Sequence, residues 1–161
     1  MRDSFSEQRI AKLHPKVRAI FTKFIDDAES GLDITLRVAQ GLRTIDEQNE
    51  LYAQGRTKPG KKVTNAKGGS SYHNYGLAID VLRMNGKEAD WNYDTAKLLP
   101  YMPAGMVWGG NFKTIKDKPH FEFTFGINWR TLLAKYNKKE FIPGTQYVFI
   151  SEPRLVQYLF I

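Results

Sequence analysis

Apolar residues recur at two spacings along the chain, and each spacing predicts a different element. Between residues 14 and 30 they recur every three or four positions, which places them on one face of a helix. Pro15 suits the first turn of that helix, and Gly31 suits its end. Residues 33–40 alternate between apolar and polar side chains, with Ile34, Leu36 and Val38 on one side. This alternation is typical of a strand.

The rest of the chain repeats these patterns in shorter segments. The stretch 56–70, rich in lysine, glycine and threonine, has no periodicity and is typical of an exposed loop. We predict further strands at 77–82, 106–108 and 120–125 and short helices at 44–54, 94–99 and 128–136. Because the strands come in separate groups rather than as regular strand–helix–strand units, we expect an α+β domain with a central, mainly antiparallel sheet flanked by helices.

The length of 161 residues suits one domain. We assign residues 1–138 to that domain and residues 139–161 to a C-terminal extension of unassigned role. The extension includes the apolar runs 147–150 and 155–161, so simple disorder does not describe it.

The absence of cysteine excludes disulfides, thiol nucleophiles and cysteine-based metal sites. Any metal must therefore be held by histidine, aspartate or glutamate, and the chain has three histidines. No segment reaches the roughly 20 apolar residues that cross a bilayer, so we expect no membrane insertion. The charged N-terminus has no apolar stretch like that of a signal peptide. We expect synthesis in the cytoplasm and release by another route.

The formal charge of +7 favours an anionic partner such as nucleic acid, a membrane surface or a cell-wall polymer. The basic segment 58–62 has no interleaved aromatic residues, so we do not expect a nucleic-acid partner. Five aromatic residues either line a groove for a sugar or peptide or pack in the core: Tyr72, Tyr75, Trp91, Tyr93 and Trp108.

Two separated segments carry the residues best suited to chemistry. His73 and Asp80 are seven residues apart, and a bend at Gly76 would bring them together. His120 follows at the mouth of a later strand. Two imidazoles and one carboxylate form a three-ligand set with an open fourth position, which is the arrangement of catalytic zinc. The spacing of these three residues alone does not distinguish a metal site from ordinary structural or capping pairs.

A metal-assisted hydrolysis would need a base and a cation. Asp117, three residues before His120, can reach water at such a site and act as general acid and base. Arg43, at the end of a strand, can stabilise an oxyanion. Asp117 could instead belong to a solvated turn, and Arg43 could pair with Asp46 or Glu47.

Two other residues allow structural interpretations. Glu122 shares a strand face with His120, either as its supporting partner or as an outward-facing residue. His14 precedes Pro15 at a helix start, away from the other clusters, and we interpret it as structural.

These motifs together resemble a known family. The pattern Ser71-x-His73-x-x-Gly76-x-Ala78-x-Asp80, followed by Asp117-x-x-His120, is similar to the signature of zinc peptidases related to D-Ala-D-Ala carboxypeptidases. The upstream run 41–48, with Leu51-Tyr and 54–57, resembles the branch of L-alanyl-D-glutamate endopeptidases, which includes phage endolysins and bacterial cell-wall hydrolases. The resemblance extends from about residue 6 to residue 136.

The resemblance implies a role for each matching residue. His73, Asp80 and His120 would hold Zn²⁺, and Asp117 would be the catalytic acid and base. Three residues would shape the site or bind substrate: Arg43, Gln48 and Ser71. The family fold is the α+β fold of D-Ala-D-Ala carboxypeptidases and hedgehog-like domains. An aspartate at position 117, where the carboxypeptidase and dipeptidase branches have glutamate, favours the endopeptidase branch.

The sequence therefore predicts a zinc peptidase acting on bacterial peptidoglycan at the L-Ala–D-Glu bond of the stem peptide. We expect a monomer that lyses or remodels the wall. A D-Ala-D-Ala carboxypeptidase or dipeptidase with the same metal chemistry is the nearer alternative. A non-catalytic module that binds the cell wall is the more distant one.

Overall fold

A computed structural model of the chain describes residues 1–151. It contains four α-helices, five strands and three short 3₁₀ helices over that range. The α-helices are α1 Ser4–Ala11, α2 Pro15–Leu32, α3 Ile45–Ala53 and α4 Trp129–Asn137. The strands are β1 Thr35–Gln40, β2 Ala78–Asn85, β3 Glu88–Asp90, β4 Met106–Trp108 and β5 His120–Phe123. The 3₁₀ helices are Tyr72–Tyr75, Thr95–Tyr101 and Gly109–Asn111.

The strands form one sheet in the order β1-β2-β5-β4, with β3 paired to one end of β2. Every strand pair in this sheet is antiparallel. The predicted α+β class with a central antiparallel sheet is confirmed. The central position of β2 and β5 matters for function, because both carry residues that the sequence singled out.

The main core lies between α2 and one face of the sheet. Phe21, Phe24 and Ile25 of α2 are fully or almost fully buried, and the Phe24 ring lies 5.0 Å from the ring of Phe121 on β5. Burying each such side chain contributes about 1.5–3 kcal/mol. Because Phe121 points into this core, its neighbours His120 and Glu122 point to the opposite face of β5.

Two elements differ from the sequence-based expectations. Helix α1 was not predicted, because its apolar content is low. Its N-cap is Asp3, whose side chain accepts from the Ser6 backbone N–H. Helix α2 does not end at Gly31 but continues to Leu32, and Asp33 ends it in a left-handed conformation with φ 48°. Gly31 has a packing role instead, because a Cβ there would collide with the Tyr101 ring.

Part of the predicted C-terminal extension packs onto the domain. Val148 and Ile150 are buried in the main core, and Phe141 forms a bridge with Val148. The Nε2–H of buried His14 donates to the Val148 carbonyl at 2.8 Å. The apolar run 155–161 lies outside the described residues. Among the helices of residues 1–151, none has the length and apolar character needed to cross a membrane.

Candidate active site

Three side chains from two segments meet on the sheet face opposite the main core. Asp80 on β2 and His120 on β5 are direct partners across the antiparallel ladder. His73 reaches them from the 3₁₀ helix that precedes β2. Gly76 ends that helix with φ 69° and turns the chain into the strand. The predicted bend at Gly76 is therefore present.

The donor atoms of these residues form an almost equilateral triangle. His73 Nε2 lies 3.2 Å from Asp80 Oδ1 and 3.2 Å from His120 Nδ1, and His120 Nδ1 lies 3.3 Å from Asp80 Oδ1. Ligand atoms at about 2.0–2.1 Å from a tetrahedral zinc ion are about 3.3–3.4 Å apart. The triangle thus has the size that such an ion requires.

The outer nitrogen of each imidazole is already occupied. His73 Nδ1 donates to the Gly41 carbonyl at 2.7 Å, and His120 Nε2 donates to the Glu122 carboxylate at 2.7 Å. When both imidazoles are neutral, these bonds leave the inner nitrogens, His73 Nε2 and His120 Nδ1, with lone pairs facing each other and Asp80. Three converging acceptors repel one another unless a cation lies between them. The donor set therefore fits a divalent metal, and its imidazole and carboxylate chemistry suits zinc.

Carboxylates surround this centre with negative charge. Burial opposes ionisation of Asp80, but the adjacent His120 and His73 hold the pKa of its carboxyl well below the usual range. Burial alone would lower the pKa of His120, yet Asp80 and Glu122 raise it to about 9. Both shifts indicate a site that favours a positive charge at its centre.

Asp117 lies in the same cleft as the three donors. Desolvation by the cleft, followed by the charge of Asp80, raises the pKa of its carboxyl, although the side chain still reaches solvent. His120, His73 and Arg43 partly oppose this shift. A carboxylate with a raised pKa beside a candidate metal centre is suited to proton transfer.

The loop that carries Asp117 is fixed by its backbone. Asp117 N donates to the Gly109 carbonyl at 2.9 Å. The Lys118 carbonyl accepts from Trp108 Nε1 at 2.7 Å and also from the Thr95 hydroxyl. A Cβ at Gly109 would collide with the Asp117 carbonyl oxygen and lie 2.9 Å from His120 Cβ, so only glycine fits there.

Arg43 lies between the candidate metal centre and the loop 56–70. Its Nη2 is 4.0 Å from Asp80 Oδ2, and its Nη1 donates to Gln48 Oε1 at 3.0 Å. The alternative pairing with Asp46 or Glu47 is not formed, since the Glu47 carboxylate accepts from the Thr44 backbone in the capping box. Gln48 is only 1% exposed and donates to the Ala66 carbonyl, so it connects Arg43 to the loop rather than facing the cleft.

Ser71 and Asn74 position the segment that bears His73. Ser71 Oγ caps the 3₁₀ helix by accepting from the His73 backbone N–H. Asn74 accepts from the Gly69 and Ser71 backbones and donates to the Arg43 carbonyl. The roles of Asn74 and of the loop anchors Thr95, Trp108 and Gly109 were not predicted from the sequence. The Gly109-Gly110 pair directly after a strand was the available signal.

The donors lie in a cleft of about 510 Å³ between two irregular loops. Val63, from the loop 56–70, and Ile115, from the segment 112–118, are 55% and 49% exposed on its rim. Trp91, after β3, is 59% exposed on the same rim. By contrast, Tyr75 and Trp108 are buried, so the five aromatic residues divide between the cleft and the core.

Comparison with known proteins agrees with this geometry. Residues 64–123 match a family model described as D-alanyl-D-alanine carboxypeptidase, and this range includes all three donors and Asp117. The L-Ala D-Glu endopeptidase ChiX of Serratia marcescens has a similar fold, with a TM-score of 0.55 and 27% identity, over 76% of this chain and 88% of that one.

Two curated relatives have matching sequences. The peptidoglycan L-alanyl-D-glutamate endopeptidase CwlK of Bacillus subtilis is 43% identical across 59% of this chain and 63% of its own length. The L-alanyl-D-glutamate peptidase of Listeria phage A118 is 27% identical across 76% of this chain and 42% of its own length. The alignments thus span less than two thirds of either relative. Motif, fold and relatives thus agree: over residues 64–123 the chain is similar to the family described as D-alanyl-D-alanine carboxypeptidase, and its fold is similar to that of an L-Ala D-Glu endopeptidase.

Proposed function

We propose that the chain is a zinc metallopeptidase that hydrolyses the L-Ala–D-Glu bond in the stem peptide of bacterial peptidoglycan. The triangle of His73, Asp80 and His120 donor atoms carries this proposal. When bound there, zinc supplies a Lewis acid that polarises a carbonyl and acidifies water. His73, Asp80 and His120 would hold the ion, and a set of three protein ligands is typical of catalytic rather than structural zinc sites.

The chain's own residues supply proton transfer. An Asp117 carboxylate oxygen takes a proton from the attacking water and then gives it to the leaving amine nitrogen, so the peptide bond breaks while a carbon–oxygen bond forms. The raised pKa of Asp117 suits both steps, because the protonated form is easier to reach after the first transfer. The anchored backbone of the Asp117 loop keeps the carboxylate at a constant position relative to His120.

Arg43 is the cation beside the three donor residues in the cleft. Its guanidinium is held by Gln48 and faces Asp80, and it donates to a substrate oxygen as negative charge develops there. We propose that Gln48 and Ser71 contribute indirectly, by fixing Arg43 and His73. A stem peptide rich in carboxylates also suits a chain of charge +7.

The relatives support the choice of bond. CwlK, the phage enzyme and ChiX are each described as acting between L-Ala and D-Glu. The phage relative supports a lytic role for this chain, and CwlK supports remodelling of a bacterial wall. In either role we propose that a monomer acts on the wall after leaving the cytoplasm.

The test is digestion of purified peptidoglycan by the zinc-loaded chain, with mass spectrometry of the soluble products. We expect new D-Glu amino termini, lost on treatment with a chelator and restored by zinc. The Asp117→Ala variant is the matched control, because it retains all three metal ligands.

Other products would contradict the proposal in distinct ways. Release of D-Ala would assign the carboxypeptidase activity that the family description names. Tight zinc binding and wall binding without released peptide would indicate a non-catalytic module.

A further inference from the structure

The rim residue Trp91 joins the active-site cleft to a second groove. This groove has a volume of about 220 Å³ and runs beside the start of the 3₁₀ helix Thr95–Tyr101. Trp91 and Pro119 line both spaces, so the cleft and the groove adjoin at these two residues. A ligand bound at the metal centre can therefore extend over Trp91 into the groove.

The lining of the groove is unlike that of the cleft. The residues that line it are mostly polar and include Asp90, Asn92, Tyr93, Asp94 and Lys118. One oxygen of Asp90 accepts from the Asn92 backbone, and one oxygen of Asp94 accepts from the Ala96 backbone. These bonds fix both carboxylates, and each has a second oxygen able to accept from a hydroxyl or amide N–H.

Trp91 itself is a large aromatic surface that faces solvent. It is 59% exposed, whereas Trp108 is 9% exposed and its indole N–H is bonded to the Lys118 carbonyl. An exposed aromatic ring next to fixed polar groups is a frequent mark of a binding site. A ring face stacks on flat apolar surfaces, and the C–H face of a pyranose is such a surface.

We infer that Trp91 and this groove bind a sugar residue of the glycan strand that carries the stem peptide. Stacking on Trp91 would hold the apolar face of the sugar, while Asp90, Asn92 and Asp94 would bond its hydroxyl and acetamido groups. The inference rests on the proposed function for the identity of the polymer. In peptidoglycan, L-Ala is the residue joined to the sugar, so the L-Ala–D-Glu bond lies close to the glycan. Two extended residues span about 7 Å, a reach that suits adjoining subsites.

The kinetic test compares two substrates that differ only in the sugar. One is a disaccharide carrying the stem peptide, and the other is the same stem peptide alone. We expect Trp91→Ala in the zinc-loaded chain to raise KM for the sugar-bearing substrate roughly five- to ten-fold. The KM for the free peptide should rise much less, because that substrate has no sugar to stack on the ring. Trp91→Phe should restore much of the affinity because it keeps an aromatic face.

The control is Phe149→Ala, which removes another half-exposed aromatic ring from a position that lines neither space. It should change neither substrate's KM. Equal losses of Trp91→Ala on both substrates would make Trp91 a peptide contact and overturn the inference. An unchanged KM for the sugar-bearing substrate would overturn it as well.

A binding experiment separates this inference from the proposed function. The peptide-free disaccharide is titrated into the Asp117→Ala variant, and the indole N–H signals are followed by NMR. We expect a saturable shift of the Trp91 signal, identified by its loss in Trp91→Phe, with little change at buried Trp108. If the chain cleaved neither substrate but this shift occurred, the proposed function would fail and the sugar site would stand. No shift would reject the sugar site.

Discussion

The floor of the cleft and the loop that carries Asp117 are fixed by different means. On the floor, Asp80 and His120 are ladder partners in the centre of the sheet, so their separation is set by strand pairing. Asp117 and Lys118 lie outside the described strands: the Asp117 N–H donates to the Gly109 carbonyl, and the Lys118 carbonyl accepts from Thr95 and Trp108. The floor is therefore set by the pairing of the sheet, while the loop is held by single hydrogen bonds, among them the bond from the His120 backbone N–H to the Asp117 carbonyl. Damage to the two regions should have different consequences.

The largest effect is expected on the floor, from His120→Ala. Removing one of three ligands leaves two donors, too few to retain zinc at micromolar concentrations of free metal. We expect both bound zinc and peptidoglycan hydrolysis to be lost. Metal analysis after dialysis, together with product release, measures the two losses. Full zinc retention by His120→Ala would show that the triangle is not the metal site.

On the loop, Asp117→Ala should separate turnover from metal binding. The three ligands remain, so zinc should stay bound, but kcat should fall by about 10²–10⁴ because proton transfer loses its carboxylate. Zinc content and kcat measured on the same preparation test this. Near-normal turnover would remove Asp117 from the mechanism, and loss of zinc would show that the loop and floor are not independent.

Gly109→Ala moves the loop without removing a functional group. The added Cβ collides with the Asp117 carbonyl oxygen, so the Asp117 carboxylate must shift. A displacement of this kind costs about 10² in kcat, while zinc should be retained. A full loss of zinc is the contrary outcome, because the new Cβ also lies 2.9 Å from His120 Cβ. In that case the loop and the floor would be one mechanical unit.

Substitution of Glu122 tests what orients the His120 imidazole on the cleft floor. Its carboxylate accepts from His120 Nε2 and so leaves Nδ1 directed at the metal centre. Glu122→Ala should weaken zinc affinity by about 10- to 100-fold, measured by competition with a chromophoric chelator. Glu122→Gln keeps an accepting oxygen and should lose less. His73 offers no equivalent variant, because its outer nitrogen is held by the backbone carbonyl of Gly41.

The contrast between floor and loop also explains what the sequence could predict. Strand alternation placed His120 and Glu122 on one face, and the glycine at position 76 indicated the bend that brings His73 to Asp80. These features arise from local periodicity and backbone conformation. Helix α2, strand β1 and helix α3 were predicted for the same reason.

The anchors of the loop could not be predicted in this way. Thr95 and Trp108 act on the Lys118 carbonyl across 23 and 10 residues, and no local pattern reports such a pairing. Gln48 is similar, since its side chain donates to the Ala66 carbonyl, 18 residues away. The two-strand pairing of short β3 with β2 also depends on tertiary context. The positions of the loop and of Gln48 therefore depend on hydrogen bonds between residues that are distant in the sequence.

His14, the third histidine, lies outside the candidate site, and we expect its substitution to have the smallest effect. His14 also has both ring nitrogens bonded, but its Nδ1 accepts from the Lys16 backbone N–H, so no lone pair is left for a metal. Burial lowers the pKa of His14 below its ordinary value of 6.5. Above pH 6.5 the ring is neutral in both folded and unfolded chains, so its hydrogen bonds stabilise the fold fully. Below pH 6.5 the unfolded chain takes up a proton that the folded chain resists. The free energy of unfolding then falls by up to about 1.4 kcal/mol per pH unit.

His14→Asn keeps an N-cap and cannot titrate. The stability advantage of the parent chain over His14→Asn should therefore shrink from pH 7 to pH 5, as measured by urea unfolding of the zinc-free proteins. A gap that stays constant with pH would mean that the folded chain protonates His14 as readily as the unfolded chain, against the burial and bonding of its ring.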